Sequence, residues 1–511
     1  MIAARDRLRD WLRDHLRGLL PRDHSGPAVA RLFHRLLGLV FLDAWLSLGV
    51  QVHVLIGARG LMPIARFLAR ARHELSFADF PTLFWLGVTD TTLTVGVAVG
   101  VVLSLVAIFG RWPRAVAAAQ VALYLSFATA ARTFLSFQWD NLLVECGFFA
   151  IFLPRDRRSP WMHTLFRLIL LKLYWESGIA KWQSHLHDWQ DGSAMSFYYE
   201  TAPLPTALAW YMHHAPSWWH RFESWATLAF ELGVPFGIFV GSRRVRLACA
   251  AILTSFQIIN AATANYGFFC YLAAALHVFL LDDADVERIA VFVRARLRLR
   301  APAPAPASEP ANRRWRRLPV ILVLSGFVLV SAIDAVVSFV DSPALFSVLL
   351  PIHRVYAPFR LVNTYHLFGH ITRARIEPDF QTTDDGATWD AHELRHKPGD
   401  PKRRPDWVAP HQPRVDFQLW FYGLSYRSGA PEYVTKLLER LCRDPDAVQP
   451  LFAAPLSPHP KAARIVYWQY HFTTAAERRA TAAWWKREPV DVTDEVPCDT
   501  HFSEGDVRDD E

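Results

Sequence analysis

The chain has 511 residues, of which 52% are hydrophobic and 14% aromatic, and its mean hydropathy is +0.11. This composition is too apolar for an ordinary soluble enzyme of this size and indicates a membrane protein. The formal net charge is +7, but the arginines stand in short runs between apolar stretches. That pattern is typical of signals that orient membrane helices, and it argues against a nucleic-acid partner.

Residues 1–30 alternate arginine and aspartate with apolar residues at helical spacing. No apolar core follows that could serve as a cleaved signal. The segment predicts an amphipathic helix lying on the membrane surface.

Apolar stretches long enough to cross a bilayer, about 17–25 residues, recur along the next 300 residues. They predict about nine transmembrane helices: a bundle over 31–282 and a last helix over 318–340. The nine stretches are 32–57, 82–108, 114–135, 138–153, 161–182, 223–241, 246–262, 264–281 and 318–340.

Basic segments separate these stretches at 110–114, 154–160 and 241–246, and a basic, Pro/Ala-rich linker spans 283–317. With nine spans, all of them fall on the side of the N-terminus, which the positive-inside rule assigns to the cytoplasm. The odd number of spans then predicts an extracytoplasmic C-terminal domain.

After residue 355 the long apolar stretches end. Short runs of alternating apolar and polar residues, which predict strands, follow at 370–378, 387–395, 414–423 and 463–472, and residues 430–444 predict one clear helix. The fold class predicted is a membrane all-α bundle followed by a soluble, mainly antiparallel β domain with one or two helices. The β domain covers 355–490, and an acidic tail covers 491–511. Of the five cysteines, only Cys442 and Cys498 lie where they could pair in an oxidising compartment.

Polar residues interrupt the apolar stretch FLSFQWDNLLVECGF at 134–148. Asp140 and Asn141 lie near a helix N-terminus, where they could cap free backbone N–H groups. Glu145 lies about one turn deeper and needs a cavity or a partner. Lys181 either extends to the outer interface beside Trp182 or joins Glu145 and Asp140 in a polar cluster.

The segment 183–222 is too long for a simple connection and is dense in aromatic residues and histidine. Its adjacent histidines lack a metal-site spacing, so we expect no metal and no cofactor. Candidate catalytic residues are Asp140, Glu145, Lys181 and Glu200. The wider candidate motif consists of Gln138, Trp139, Asp140, Asn141, Glu145, Trp189, Tyr198, Tyr199, Glu200, Pro203, Pro205, His213, His214, Pro216, Phe222 and Glu223.

Five motifs give the sequence a family resemblance. They are FLSFQWDNLLVECGF (134–148), the block from DWQDGSAMSFYYE to SWWHRFE (188–223), ELGVPF (231–236), KPGDPKRRPDWVAPHQPRVDFQLWF (397–421) and YWQYHF with WWKREP (467–489). The chain resembles the lipase maturation factor family of polytopic membrane proteins. Its membrane part is also distantly similar to vitamin K-dependent γ-carboxylase, although no local motif aligns Lys181 with a catalytic base.

The resemblance implies a role in folding and assembling secreted lipases, with the C-terminal domain in the lumen of the endoplasmic reticulum. The arginine- and alanine-rich composition looks bacterial, in which case the far side is the periplasm.

Two functions follow. The first is a non-enzymatic maturation factor in contact with membrane lipid and a secreted client. The second is a membrane enzyme in which Asp140, Glu145, Lys181 and Glu200 perform acid–base chemistry on a lipid or a secreted polypeptide. A transporter is disfavoured because no inverted repeat is visible.

Overall fold

The computed structural model describes residues 26–240, 242–298 and 318–499. The predicted interfacial helix, except its last five residues, lies outside the described residues. So do the Pro/Ala spacer at 301–310 and the acidic tail from residue 500.

The N-terminal part of the chain is helical. Its helices are α1 Pro27–Gly49, α2 Val52–Ile56, α3 Ile64–Ala71, α4 Asp90–Ile108, α5 Pro113–Ala130, α6 Gln138–Ala150, α7 Pro160–Trp182, α8 Asp188–Asp191, α9 Ala194–Thr201, α10 Ala207–His213, α11 Ser217–Leu232, α12 Val234–Gly237, α13 Arg243–Thr263, α14 Phe269–Leu276, α15 Asp283–Leu297, α16 Leu318–Phe339 and α17 Pro343–Tyr356.

Close packing of α1 on α4 organises the first part of the bundle. A Cβ atom at Gly100 would lie 2.3 Å from the ring of Trp45, so only glycine allows the indole to sit against this backbone. The indole N–H of Trp45 donates to Gln120 Oε1 at 2.7 Å, which satisfies the one polar atom of a fully buried ring.

Only four helices in the described part of the chain are long and apolar enough to cross a membrane: α1, α4, α13 and residues 321–339 of α16. The prediction of nine spans was therefore wrong. Helix α6 has only 13 residues, and α7 carries four charged residues within its 23. Most residues of α6 are buried by the protein itself. An apolar run in a sequence therefore marks a helix inside the bundle as readily as a helix in lipid.

The bundle has two chemically different ends. At one end the basic segments meet: Arg155 donates to Gly110 O at 2.7 Å, Arg31 donates to Arg155 O at 3.1 Å, and Arg246 pairs with Asp282 at 2.7 Å. Helices α1 and α13 begin at this end, and α4 finishes there. The C-terminal domain packs on the opposite end.

The C-terminal domain combines an antiparallel sheet with four helices. The strands are β1 Arg375–Thr383, β2 Asp390–His392, β3 Ala462–Phe472, β4 Trp485–Val492 and β5 Val496–Pro497, in the order β2-β1-β3-β4 with β5 also pairing with β3. The helices are α18 Arg414–Leu424, α19 Glu432–Arg443, α20 Pro445–Val448 and α21 Ala475–Thr481. A helical N-terminal part followed by an antiparallel sheet domain is thus confirmed.

The segment 414–423, predicted to be a strand, is the helix α18. Its residues from Arg414 to Trp420 are all buried, because the helix lies between the bundle and β1. Because these residues are covered on every side of the helix, apolar residues are not confined to one of its faces. The alternation of apolar and polar residues in this segment therefore does not indicate a strand. Gly423 permits the closest approach, since a Cβ there would lie 2.1 Å from Ile376 O.

A disulfide joins Cys442 on α19 to Cys498 after β5. The other three cysteines are free and buried. The pairing that the sequence allowed for Cys442 and Cys498 is therefore present.

Candidate functional site

Asp140 is the anchor of the junction between the bundle and the C-terminal domain. The carboxylate is fully buried in the first turn of α6, and it pairs with the Arg414 guanidinium at 2.5 and 2.9 Å. The Tyr124 hydroxyl donates to it at 2.6 Å. Two charge-assisted hydrogen bonds in a dry interior hold the α6–α18 geometry firmly. The carboxylate thus bonds to another domain and not to the free N–H groups of its own helix.

Residues 360–371, which we call the docking segment, cross the same end of the bundle. Arg360 donates to Leu135 O at 2.6 Å, and the backbone N–H of Ile371 donates to Asp188 at 3.0 Å. Polar side chains of the bundle also bond to five residues of the segment: Arg360, Asn363, Tyr365, His366 and Leu367. The side chains that do so are Gln138, Asn141, Glu145, Glu176, Ser177 and Lys181.

Glu145, for which the sequence predicts a cavity or a partner, is hydrogen-bonded to the docking segment. It is fully buried, the Tyr365 hydroxyl donates to it, and Asn363 Nδ2 donates to the same oxygen at 3.1 Å. The N–H of Tyr365 donates in turn to Glu176 at 3.0 Å, and Glu176 pairs with Lys172 at 3.9 Å. Glu145 and Glu176 therefore clamp one tyrosine at its two ends.

Lys181 lies under the docking segment and does not extend to the membrane interface. It is 3% exposed, pairs with Glu231 at 2.8 Å and donates to Leu367 O at 2.7 Å. Its ammonium also lies 5.2 Å from the centre of the Trp189 ring. No contact among the described residues joins Lys181 to Glu145 or Asp140, so the single polar cluster is replaced by separate pairs.

Glu200 and its neighbours hold the sheet. The Glu200 carboxylate accepts the N–H of Phe472 at 2.7 Å and lies 2.9 Å from His471 Nδ1. The buried guanidinium of Arg375 donates to the carbonyls of Glu200 and Pro203, at 3.0 and 2.9 Å. The segment 183–222 is therefore a platform for β1 and β3.

The aromatic residues of the motif fill the junction. Trp139 stacks on Phe137 at 4.7 Å and meets Phe417 of α18 edge-on at 5.3 Å. Within the bundle the hydroxyls of Tyr198 and Tyr266 are hydrogen-bonded at 2.6 Å.

The remaining motif residues occupy several positions along the same segment. Tyr199 donates to Glu223 at 2.8 Å, and His214 Nδ1 lies 2.7 Å from Trp210 O. Pro205 forms a bridge to Ala264, Pro216 precedes α11, and Phe222 is half exposed.

The described residues contain no group of three or more His, Cys, Asp or Glu side chains that could hold a metal ion. His213 Nε2 lies 3.7 Å from Glu200, and His220 Nε2 lies 3.2 Å from His213 O. These histidines form local pairs within the platform.

A cavity of about 480 Å³ lies between α7, α11 and α13. Of the four candidate catalytic residues, Lys181 lines it, whereas Asp140, Glu145 and Glu200 do not.

Sequence reasoning missed the residues that complete these pairs. Arg414 was not recognised because its segment was predicted to be a strand. In a helix, Arg414 lies in the first turn together with Asp416. Glu231 stands within the quoted ELGVPF motif but was not singled out. Asn265, whose Oδ1 accepts the N–H groups of Val408 and Ala409 at 2.7 and 2.9 Å, had no signal in the sequence.

Residues 28–288 match the family described as lipase maturation factor transmembrane domain, and residues 361–494 match the lipase maturation factor C-terminal domain. The chain belongs to the lipase maturation factor family. The resemblance seen in the five motifs is thereby confirmed, and the two matched regions are the two parts that the buried pairs join.

Relatives named lipase maturation factor 1 and 2 match along most of their length. The chain is 29% identical to lipase maturation factor 1 of Bos taurus, over 89% of this chain and 86% of the relative. It is 28% identical to lipase maturation factor 2 of Gallus gallus, over 90% and 80%. It is 27% identical to human lipase maturation factor 1, over 89% and 85%. No solved structure matches.

Replacing Arg414 should weaken this family member severely. Arg414→Met leaves Asp140 buried and unpaired, and we expect the free energy of unfolding to fall by about 3–5 kcal/mol. Unfolding of the detergent-solubilised protein by heat or denaturant measures the loss. Adding Asp140→Leu should recover part of it, because the unpaired charge is then gone.

The matched control is Arg59→Met, which removes an exposed ion pair to Asp444 between the same two parts. Exposed pairs contribute little, so the unfolding midpoint should not move. Equal losses in Arg414→Met and Arg59→Met would contradict the anchoring role.

The junction should also weaken in mild acid. Burial lowers the pKa of His411 to about 4, and neighbouring His396 and Arg414 act in the same direction. An unfolded histidine has a pKa of about 6.5, so below that pH the unfolded chain binds more protons than the folded one. The stabilising effect of neutral His411 is complete above pH 6.5 and is lost as the pH falls towards 4.

Unfolding midpoints at pH 7.5 and pH 5 check this. His411→Gln, which keeps a group able to bond Ser47, should reduce the difference between the two midpoints. His459→Gln, at an exposed histidine, should leave it unchanged. An undiminished pH effect in His411→Gln would show that other groups cause it.

Proposed function

We propose that this chain is a membrane-anchored maturation factor that helps a secreted client, a lipase by family name, to fold or assemble at the extracytoplasmic face. The observation that carries the proposal is the match of both parts to lipase maturation factor domains. The buried pairs at Asp140, Glu145, Lys181 and Glu200 support it, because they make the two parts one rigid unit on which a client could be held.

The orientation rests on the polarity of the bundle. The positive-inside rule puts the arginine-rich end in the cytoplasm, and the C-terminal domain covers the other end. This orientation follows from the two ends of the bundle whatever the number of spans. The Cys442–Cys498 disulfide supports the same orientation, since such bonds persist in the periplasm or the endoplasmic reticulum lumen.

The client surface proposed here lies where α10 meets the C-terminal domain, and we call it the aromatic surface: Leu208, Tyr211 and Arg478, of which Tyr211 and Arg478 pack over the buried ring of Trp484. Leu208 and Tyr211 are 42% and 55% exposed. The Arg478 guanidinium stacks 3.5 Å above the Trp484 ring and donates to the Tyr211 hydroxyl at 3.2 Å. Exposed apolar groups rimmed by charge are typical of protein-binding sites.

The alternative is a membrane enzyme that performs acid–base chemistry with Asp140, Glu145, Lys181 and Glu200. The observation in its favour is that Lys181 and Glu231 line the cavity. Against it, the four candidates bond to different parts of the C-terminal domain and do not converge on one space.

Client maturation tests the first proposal. A secreted lipase is co-expressed with the chain, and enzyme activity per amount of secreted lipase antigen is measured. Leu208→Asp with Tyr211→Ala should lower this ratio about tenfold, the loss expected when central contacts of an interface are removed. The control is Trp112→Ala, at an aromatic residue that is 68% exposed beside the basic end.

Three outcomes are distinguishable. A normal ratio when the chain itself is deleted would overturn the maturation role. If the ratio falls when the chain is deleted but stays normal in the double variant, the aromatic surface alone would be overturned. A loss in Trp112→Ala equal to that in the double variant would mean that the effect does not come from the surface.

Thiol labelling tests the compartment. In cells, Cys442 and Cys498 should react with a maleimide polymer only after reduction, because they are disulfide-bonded. A Cys146→Ala/Cys249→Ala/Cys270→Ala background removes the three buried free thiols, so every labelled cysteine is Cys442 or Cys498. Labelling of both cysteines without reductant would place the domain in a reducing compartment and contradict the orientation.

A further inference from the structure

The cavity between α7, α11 and α13 has the size of a ligand site. Its volume of about 480 Å³ lies within the roughly 300–1,000 Å³ typical of small-molecule pockets. Most of its wall is apolar, with Leu173, Ala226, Phe230, Ile252 and Phe269 among the lining residues. Such a wall favours a hydrocarbon occupant.

The mouth of the cavity opens beside a helix that is apolar enough to cross the membrane. Phe222 of α11 and Ile259 of α13 both line the cavity, and each is 53% exposed. Helix α13 is one of the four candidate spans, and only 22% of its apolar window is buried. An occupant therefore enters from the bilayer rather than from water.

Among the uncharged side chains of the wall, two buried polar atoms have no hydrogen-bond partner in the described part of the chain. They are the indole Nε1 of Trp189 and the amide Oε1 of Gln257, in side chains whose residues are 2% and 3% exposed. An unsatisfied buried donor or acceptor is costly, and such atoms in a native structure call for a partner. The wall thus offers one uncharged donor and one uncharged acceptor to an occupant.

The charges of the wall exclude an anionic head group. The ammonium of Lys181 is neutralised by Glu231 at 2.8 Å, so it is not free to bind a carboxylate or a phosphate. Glu223 adds a further carboxylate to the lining, where it accepts from Tyr199 and lies 3.4 Å from His220. An uncharged head group with hydroxyl or ester oxygens matches the uncharged donor and acceptor of Trp189 and Gln257.

We propose that this cavity binds a neutral single-chain lipid taken from the bilayer, with its acyl chain between α11 and α13 and its hydroxyl or ester groups towards Trp189 and Gln257. The docking segment closes the cavity, because Leu367 and Phe368 line it and Leu367 accepts from Lys181. Occupancy therefore couples to the docking of the C-terminal domain.

Lipid binding to the purified full chain tests the proposal, with monooleoylglycerol, oleate and oleoyl lysophosphatidate as probes. Native mass spectrometry and the shift in unfolding midpoint measure binding. We expect monooleoylglycerol to bind and raise the midpoint, and both anionic lipids to bind at least tenfold more weakly. Equal binding of all three probes, or no binding of monooleoylglycerol, would overturn the proposal.

Two variants locate the site. Ala226→Trp fills the cavity and should abolish the shift, whereas Ala98→Trp, at an exposed alanine of α4, should preserve it. Trp189→Phe removes the free donor together with part of a buried ring, so the midpoint without lipid should fall, and the affinity measured by native mass spectrometry should weaken about tenfold. Unchanged binding in both Ala226→Trp and Trp189→Phe would overturn the assignment of the cavity, and Trp189→Phe remains informative if Ala226→Trp does not fold.

Discussion

The structure depends on the pairing of charges that are buried at one end of a helical bundle. Asp140 is fully buried, and in the described part of the chain its charged hydrogen-bond partner is Arg414, which lies 274 residues away. Breaking such a pair costs several kcal/mol, while forming it adds little beyond a well-packed apolar contact. Its value is therefore in specifying geometry: α18 has one position on the bundle where both charges are satisfied.

The same logic extends along the docking segment. Residues 360–371 supply a hydrogen bond to each of three polar side chains at the end of the bundle. The Tyr365 hydroxyl donates to Glu145, the Tyr365 N–H donates to Glu176, and the Leu367 carbonyl accepts from Lys181. An apolar surface would let the C-terminal domain slide, whereas a row of directional hydrogen bonds fixes its register. The result is a fixed orientation of the C-terminal domain relative to the bundle.

The sequence predicts the features of this fold that depend on local patterns. Alternation identified β3, amphipathic spacing identified α19, and the change in texture near residue 355 separated helices from sheet. It could not distinguish lipid from protein as the apolar environment of α6, and so too many spans were predicted. It also could not interpret α18, because a helix buried on all sides has no amphipathic period.

For the site, composition and depth were enough to show that Glu145 and Lys181 are unusual, but not what they bond to. A buried ion at membrane depth predicts a partner without naming it, since contacts between distant residues leave no spacing in the sequence. The family motifs mark both sides of the junction, at 134–148 and at 397–421, yet they do not show that these two stretches meet. The contact between these two stretches also determines when the bundle can reach its final structure. Residues 360–371 and 414 follow the last helix of the bundle in the chain, so Asp140 and Glu145 lack Arg414 and Tyr365 until the C-terminal domain has folded against the bundle. Bundle and domain therefore reach their final structure together, and a chain that lacks the domain leaves Asp140 without Arg414 and Glu145 without Tyr365, while Lys181 keeps Glu231 but loses the Leu367 carbonyl.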